Sequence, residues 1–235
     1  MTMKLEKYVL LSAKLGLKSG LHIGSATAKD VGKGEPLPVM KSLIKNLPYI
    51  PGSSLKGKMR SLLEITYGQT QNGGPCGCGK CQICLLFGSG SHSTTQEPTR
   101  LIFRDCSLTE KSAEVLGKLG LENKPGVSID RKTGMARGGA LFPMERIPEG
   151  SEFDFQISIR IFEDDNTENI RKWLIVGMYL LEQDALGGSG SRGSGHIEFN
   201  NIEFDKAKFP ENWREEFKNI KSELLEKAEI KKVKH

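Results

Sequence analysis

Residues Phe153 to Phe162, F-D-F-Q-I-S-I-R-I-F, alternate apolar with polar side chains. Only an extended strand puts every second side chain on one face, so this segment must lie in a sheet with one buried side. Five residues later, from Thr167 to Asp184, the spacing changes: Ile170, Trp173, Leu174, Gly177 and Leu181 recur at three- and four-residue intervals, the apolar face of a helix. Gly187–Gly188 then supplies a helix stop. Further strands are predicted over Tyr8 to Leu17, Arg100 to Arg104 and His196 to Phe204. A second helix is expected over Ser54 to Tyr67, where the serines of a Pro-Gly-Ser-Ser turn are placed to cap its first N–H groups. The order strand, helix, strand, strand, helix, strand predicts an α+β fold with a ferredoxin-like (RRM-like) β-α-β-β-α-β core. That core would occupy residues 1–205. Residues 206–235 would add a charged C-terminal helix with Trp213, Phe217, Ile220 and Leu224 on one face.

Three long insertions interrupt this core, at 18–52, 69–99 and 124–150. Loops of that length in a compact domain are where function concentrates. No apolar run approaches the roughly 20 residues that span a bilayer, and the N-terminal stretch mixes Lys and Glu into its apolar residues. The expectation is a cytoplasmic protein without membrane association. The net charge is +5, but residues 1–63 hold eleven Lys or Arg against three acids, whereas residues 149–235 hold thirteen against eighteen. A basic end of this kind suits a phosphate backbone, or equally a solvated lysine-rich surface.

Within the second insertion Cys76, Cys78, Cys81 and Cys84 fall in nine residues. In a reducing compartment such thiols converge on a metal rather than form disulfides. A structural zinc with four thiolates would order this glycine-rich segment into a lid. An iron–sulfur cluster is the other metal these ligands admit, and His92 could replace one cysteine.

Three further motifs carry basic or permissive residues. In P48-Y-I-P-G-S-S-L-K-G-K-M-R60, a turn opens a helix with Ser54, Lys56, Lys58 and Arg60 in its first turns, a phosphate site or an ordinary basic helix face. In G187-G-S-G-S-R-G-S-G195, Gly188, Ser191, Arg192 and Gly193 form a loop whose backbone could approach a phosphate, or a flexible linker. In the third insertion Arg131, Lys132 and Arg137 punctuate a β-ribbon with apolar Leu141, Phe142 and Met144 at its tip, suited to wedging between bases or to packing on the core. His22 is a candidate base near RNA, or a satisfied core histidine.

Taken together, L21-H-I-G24, P48 to R60, the cysteine cluster leading into L86-F-G88, R100-L-I-F-R-D105, G126-V-S-I-D-R-K-T-G134 and A185 to F199 resemble one family in the right order over about residues 5 to 205. It is the repeated backbone subunit of type III-A CRISPR complexes, the third Csm subunit, within the repeat-associated RAMP superfamily. The resemblance implies an antiviral RNA-interference subunit whose copies stack as a filament along the guide RNA (crRNA), beside other effector subunits. A thumb near residues 131–146 would press into the duplex of guide and complementary target RNA and displace a nucleotide at regular intervals. Ser54, Lys56, Lys58, Arg60, Arg131 and the Gly188–Gly195 loop would contact the guide backbone and leave sequence reading to base pairing.

The family also cuts target RNA, at six-nucleotide intervals, with an Asp shortly before a Pro-Val pair in the loop after H-I-G. Here Pro38–Val39 is preceded by Glu35-Pro36-Leu37. Glu35 and, further back, Asp30 are the carboxylates available to assist a Mg²⁺ or Mn²⁺ ion in such cleavage. The expectation is therefore an RNA-binding backbone subunit, with an active metal-dependent endoribonuclease as the alternative.

Overall fold

The computed structural model describes residues 3–24, 38–70, 72–89 and 97–233, and of residues 138–142, 218 and 225–233 the backbone alone. In chain order the elements are β1 (Leu5–Leu17), β2 (Tyr49–Ile50), α1 (Gly52–Thr66), α2 (Gln82–Phe87), β3 (Leu101–Phe103), β4 (Cys106–Ser107), α3 (Glu110–Leu119), β5 (Glu122–Ile129) and β6 (Ala136–Arg146). They continue with β7 (Glu152–Phe162), α4 (Thr167–Gln183), a single 3₁₀ turn at Gly190–Arg192, β8 (Ile197–Phe204), β9 (Ala207–Lys208) and α5 (Trp213–Val233).

Five strands form one sheet in the order β3-β7-β1-β8-β9, and every pairing in it is antiparallel. The alternation in β7 does what its period requires, since Phe153, Phe155, Ile157, Ile159 and Ile161 are all buried. Val9, Leu11, Ala13, Leu15 and Leu17 of the central strand share that core. In β8 one extra residue opposes β1 between Ser12 and Lys14, and Asn201 takes φ 51° there. This bulge switches the parity of the strand, so Ile202 and Phe204 stay buried along with Ile197 and Phe199. Without it, the last two would turn to solvent.

The core is closed by α1 and α4, whose buried residues include Leu55, Met59 and Leu63 on one and Ile170, Trp173, Leu174 and Leu181 on the other. A Cβ on Gly177 would lie 2.7 Å from Met59 Cγ, so glycine sets how closely these helices approach. The expected apolar face of α5 is present, with Trp213, Phe217, Ile220 and Leu224 all buried in the same core. Phe217 stacks on Tyr179 of α4 at 3.8 Å. Buried Glu182 accepts the Phe199 N–H at 2.7 Å and both Nε and Nη2 of Arg214 at 2.8 Å, which joins α4, β8 and α5. Among the described residues no helix is long and apolar enough to cross a membrane.

Two expectations need correcting. The serines do not cap α1: its N-cap is Pro51, with no side-chain cap bond, and Ser53 and Ser54 lie inside the first turn. The Gly52 N–H instead donates to Asp105 Oδ1 at 2.8 Å, a partner 53 residues away. Nor do the apolar residues of the ribbon sit at its tip. Leu141 pairs with Val127 and Phe142 with Gly126, part-way along the stem, while the tip is a polar turn from Asp130 to Gly134.

Candidate nucleic-acid interface and metal centre

The cysteine segment folds against the outer side of α1. Cys76, Cys78, Cys81 and Cys84 bring all four sulfurs within 4.8 Å of one another. Cys76 and Cys81 are 3.9 Å apart, as are Cys78 and Cys84. A tetrahedral ion with bonds of about 2.3 Å spaces its sulfurs about 3.8 Å apart, so the group has the size of a four-thiolate metal site. Local backbone donors already point at sulfur: Cys81 N–H lies 3.3 Å from Cys78 Sγ, and Cys84 N–H 3.4 Å from Cys81 Sγ. Burial pushes the Cys76 thiol up to about 11 and Cys81 higher still. At Cys78 burial works in the same direction, but the N–H groups of Lys80 and Cys81 outweigh it and hold the thiol near 7. His92 lies outside the described residues.

What fixes this knuckle to the helix is a buried polar clasp that sequence reading did not find. Arg60 Nε donates to Glu64 Oε1 at 2.9 Å, Nη1 to the Gly88 carbonyl at 2.8 Å and Nη2 to the Cys76 carbonyl at 2.6 Å. Glu64, itself buried, also accepts the Cys76 N–H at 2.9 Å. The Arg60 guanidinium is thus turned inward on three acceptors. Ser54 and Lys56 are half-buried; burial and then the charge of Arg60 lower the Lys56 ammonium below its usual range. Lys58 pairs with Asp184 at 3.0 Å. Burial favours protonation of Asp184, but the Ala185 N–H and Lys58 hold its carboxyl below the ordinary carboxylate value.

The glycine loop begins three residues after Asp184 and lies on the segment around His22. Gly188 N–H donates to the His22 carbonyl at 2.8 Å and Gly195 N–H to the Gly20 carbonyl at 3.0 Å. Gly187 has φ 74°, and a Cβ there would stand 2.3 Å from His22 O, so its glycine is required by the protein's own chain. Gly188, Ser191, Arg192 and Gly193 are exposed along the outer side of the loop. Arg192 Nη2 donates to Ser189 Oγ at 2.9 Å. His22 is buried, with Nδ1 2.8 Å from the Glu145 carbonyl oxygen. It sits next to the loop as a bonded core residue. Asp30 and Glu35 lie outside the described residues, but the two ends of their interval are adjacent, since Gly24 bridges to Val39.

The ribbon of β5 and β6 is exposed along nearly all of β5, and Arg131, Lys132 and Arg137 are exposed at its far end. Asp130 Oδ1 accepts the N–H groups of Lys132 and Thr133, both at 2.9 Å, and these bonds hold its carboxyl below the ordinary range. Arg131 Nη1 donates to the Ile129 carbonyl at 2.7 Å. At the root, buried Arg146 donates to Ser194 Oγ at 3.1 Å and to Glu122 Oε1 at 2.6 Å. Its neighbour Glu145 accepts the Val39 N–H at 3.1 Å. Arg146, Glu145, Glu122 and Glu64 had no local sequence signal, because their partners are distant along the chain. A cleft of about 230 Å³ opens where this root meets the glycine loop.

The structure therefore joins four motifs spread over some 170 residues of sequence, and leaves the cysteine knuckle on α1 beside them. Comparison with known proteins gives this arrangement a lineage. The family model described as the RAMP superfamily matches residues 14–198. The chain is 39% identical over 218 residues to the CRISPR system Cms endoribonuclease Csm3 of Methanothermobacter thermautotrophicus, covering 85% of this chain and 86% of that one. It is 36% identical over 200 residues to the protein of the same name from Streptococcus thermophilus, covering 83% and 88%. A chain in the crystal structure of the Csm3-Csm4 subcomplex of the type III-A CRISPR-Cas interference complex superposes with a TM-score of 0.57 at 31% identity, over 96% of this chain and 97% of that one. With the family match spanning most of the chain and the relatives matched nearly end to end, this chain belongs to the RAMP superfamily, within its Csm3 family.

Proposed function

We propose that this chain is the guide-RNA-binding backbone subunit of a type III-A CRISPR effector complex, whose copies form a filament along crRNA and hold the duplex of guide and target. The observation that carries the reading is the hydrogen bonding between motifs far apart in sequence. Gly188 is bonded to His22 at 2.8 Å, Lys124 to the Arg192 carbonyl at 3.3 Å, and Lys58 to Asp184 at the mouth of the glycine loop at 3.0 Å. Half-buried basic side chains of α1 and exposed groups of the loop and the ribbon are thereby held in one fixed relation, which a backbone-tracking RNA site needs. The relatives named Csm3 and the matched Csm3-Csm4 subcomplex point the same way, toward sibling subunits as partners.

Residues 1–205 would form the palm. Its core would be ferredoxin-like, a reading supported by the order β3-β7-β1-β8 and the crossovers through α1 and α4. The ribbon would be its thumb and residues 206–235 an added helix. Ser54, Lys56 and Lys58 would meet guide phosphates along α1, and Gly188, Ser191, Arg192 and Gly193 would meet them at the loop. Arg131, Lys132 and Arg137 would reach the duplex from the ribbon. Arg60 would serve chiefly by fixing the knuckle, with its remaining N–H groups toward RNA. The four cysteines fit a structural zinc, which would crosslink the segment and leave it standing as a lid.

The relatives' printed name favours a second reading, that of a metal-dependent endoribonuclease acting on target RNA. Asp30 and Glu35 would then assist a Mg²⁺ or Mn²⁺ ion, with His22 beside the ends of their loop. One reconstitution tests both readings. Guide and labelled complementary RNA are bound to the assembled complex at several salt concentrations with Mg²⁺ or Mn²⁺, beside E35A and D30A complexes. Tight binding that weakens steeply with salt is expected, and RNA binding that ignores salt would sink the first reading. Regular cuts lost in either variant would establish slicing, and full-rate cutting in both would remove these carboxylates from it.

A further inference from the structure

We infer that the metal held by the four cysteines and RNA held along α1 bind cooperatively, with Arg60 and Glu64 as the positioning residues that couple them. This deepens the two readings above, a structural ion in the knuckle and a guide backbone on α1, and rests on both. Cys76 belongs to both ends of the link. Its sulfur is one of the four that converge within 4.8 Å. Its own N–H donates to Glu64 Oε1 at 2.9 Å, and its carbonyl accepts Arg60 Nη2 at 2.6 Å. Through Nη1 the same guanidinium holds the Gly88 carbonyl, four residues beyond the last cysteine, at 2.8 Å. Arg60 therefore touches the knuckle where it begins and where it ends. Whatever fixes the sulfurs fixes the acceptors of Arg60.

On the helix, Lys56, Arg60 and Glu64 follow one another at four-residue spacing, each one turn from the next on one face. The row starts at a half-buried cation offered to phosphate. It ends at a carboxylate side chain 4% exposed, with the Arg60 side chain, 16% exposed, between them. Such a carboxylate tolerates burial only while its cation and donors are in place. An ion that clamps Cys76 keeps them in place. Without it the Cys76 peptide is free to leave, Arg60 and Glu64 lose partners together, and the buried negative charge moves toward the surface on which phosphates would lie. The two sites thus share one element with two arrangements, clasp closed and clasp open, and metal and RNA both favour the closed one. Linkage then requires each ligand to raise the affinity of the other by the same factor.

The test uses the full chain, zinc and a short oligouridylate, in wild type and R60A/E64Q, at a temperature well below the melting point of each. RNA affinity is measured with and without zinc, and zinc affinity by chelator competition with and without RNA. In wild type, zinc removal should weaken RNA binding about tenfold, and RNA should tighten zinc by that same factor. In R60A/E64Q, which keeps all four cysteines, each should change the affinity of the other less than about twofold. R60K takes its place if the double variant does not fold, since an ammonium cannot span three acceptors as the guanidinium fork does. Zinc and RNA that bind wild type independently would overturn the coupling and leave both earlier readings standing. Tighter RNA binding by zinc-free protein, with a steeper salt slope, would overturn it as well, because Arg60 would then be leaving the knuckle for phosphate. Coupling undiminished in the variants would remove Arg60 and Glu64 from it. Wild type that takes up no zinc, or binds no RNA, would instead overturn the reading on which the inference rests.

Discussion

The cysteine knuckle and the β5–β6 ribbon are both insertions in the same sheet, and they are held by opposite means. The knuckle has two buried cysteines, four clustered sulfurs and a clasp in which Arg60 and Glu64 are almost wholly enclosed. Its order comes from groups that would be costly to bury alone and are satisfied only together. The ribbon is nearly bare. It is gripped at its root by Arg146 and Glu145, closed at its tip by the Asp130 turn, and exposed along β5 between them. A segment that must keep its shape is thus pinned along its length. One that must reach away from the body is fastened at one end and carries its own turn at the other. The knuckle should therefore fail all at once when any clasp is removed, and the ribbon by parts.

The largest effect expected is loss of metal from the knuckle. Purified protein should carry one ion per chain, and C84S or a strong chelator should remove it. An ion at a thousandfold excess over its Kd stabilises the folded state by about 4 kcal/mol, so the thermal midpoint should fall by about 8–16 °C. Proteolysis should then cut within residues 69–89 before the sheet. Metal-free protein with an unchanged midpoint would show that the clasp alone orders the knuckle. Next in size is R60A, which leaves Glu64 buried without its cation and should cost about 3 kcal/mol. The double variant R60A/E64Q should recover part of that loss in a thermal or denaturant melt. Strict additivity of the two single changes would mean that the pair does not act as a unit.

Local period carried most of the fold. The alternation from Phe153 to Phe162 and the helical stripe through Ile170, Trp173 and Leu181 each settle one face, because burial of that face needs no knowledge of the partner. The cysteine spacing was legible for the same reason, its four ligands lying within a few residues. What stayed hidden depended on distance along the chain. The Gly52 N–H finds Asp105, Arg146 finds Ser194 and Arg100 finds Asp165. None of these pairs leaves a local pattern. Helix α3 did carry local signals, since Thr109 caps it by accepting the Ser112 N–H and Ala113, Leu116 and Leu119 recur every three residues, but it buries only Ser112 and Leu116. The ribbon tip was misplaced because apolar residues drew attention to Leu141 and Phe142, whereas the turn is made by Asp130 accepting its own neighbours.

The root of the ribbon gives the third prediction. R146A removes a charged donor from Ser194 and Glu122 and should cost about 2 kcal/mol. The loss should be local, with amide hydrogens of β5 and β6 near Glu122 and Arg146 exchanging faster while β1 and β7 are unchanged. R146K should not restore protection, since an ammonium cannot span both partners as the guanidinium fork does. Uniform acceleration across the main sheet would instead make Arg146 part of the global core, and the contrast between the two insertions would fail on that side.

The smallest effect is confined to the tip. The N–H groups of Thr133 and Lys132, with the Thr133 hydroxyl, hold the Asp130 carboxyl below its ordinary value of 3.8. A carboxylate with a depressed folded pKa contributes order that is fully present above the unfolded value and is lost as pH falls through the folded one. The tip turn should therefore be intact at neutral pH and loosen only below about 3.8, where the carboxylate takes up its proton. Amide shifts of Thr133 and Gly134 followed by NMR from pH 6 to pH 2 should report this transition, while D130N should show a tip that no longer titrates. Because Asp130 is exposed, the change should be invisible in the global melt. If the midpoint of the whole protein moved with the tip amides, the ribbon would be coupled along its length to the core, and its apparent independence from the body would be an artefact of exposure alone.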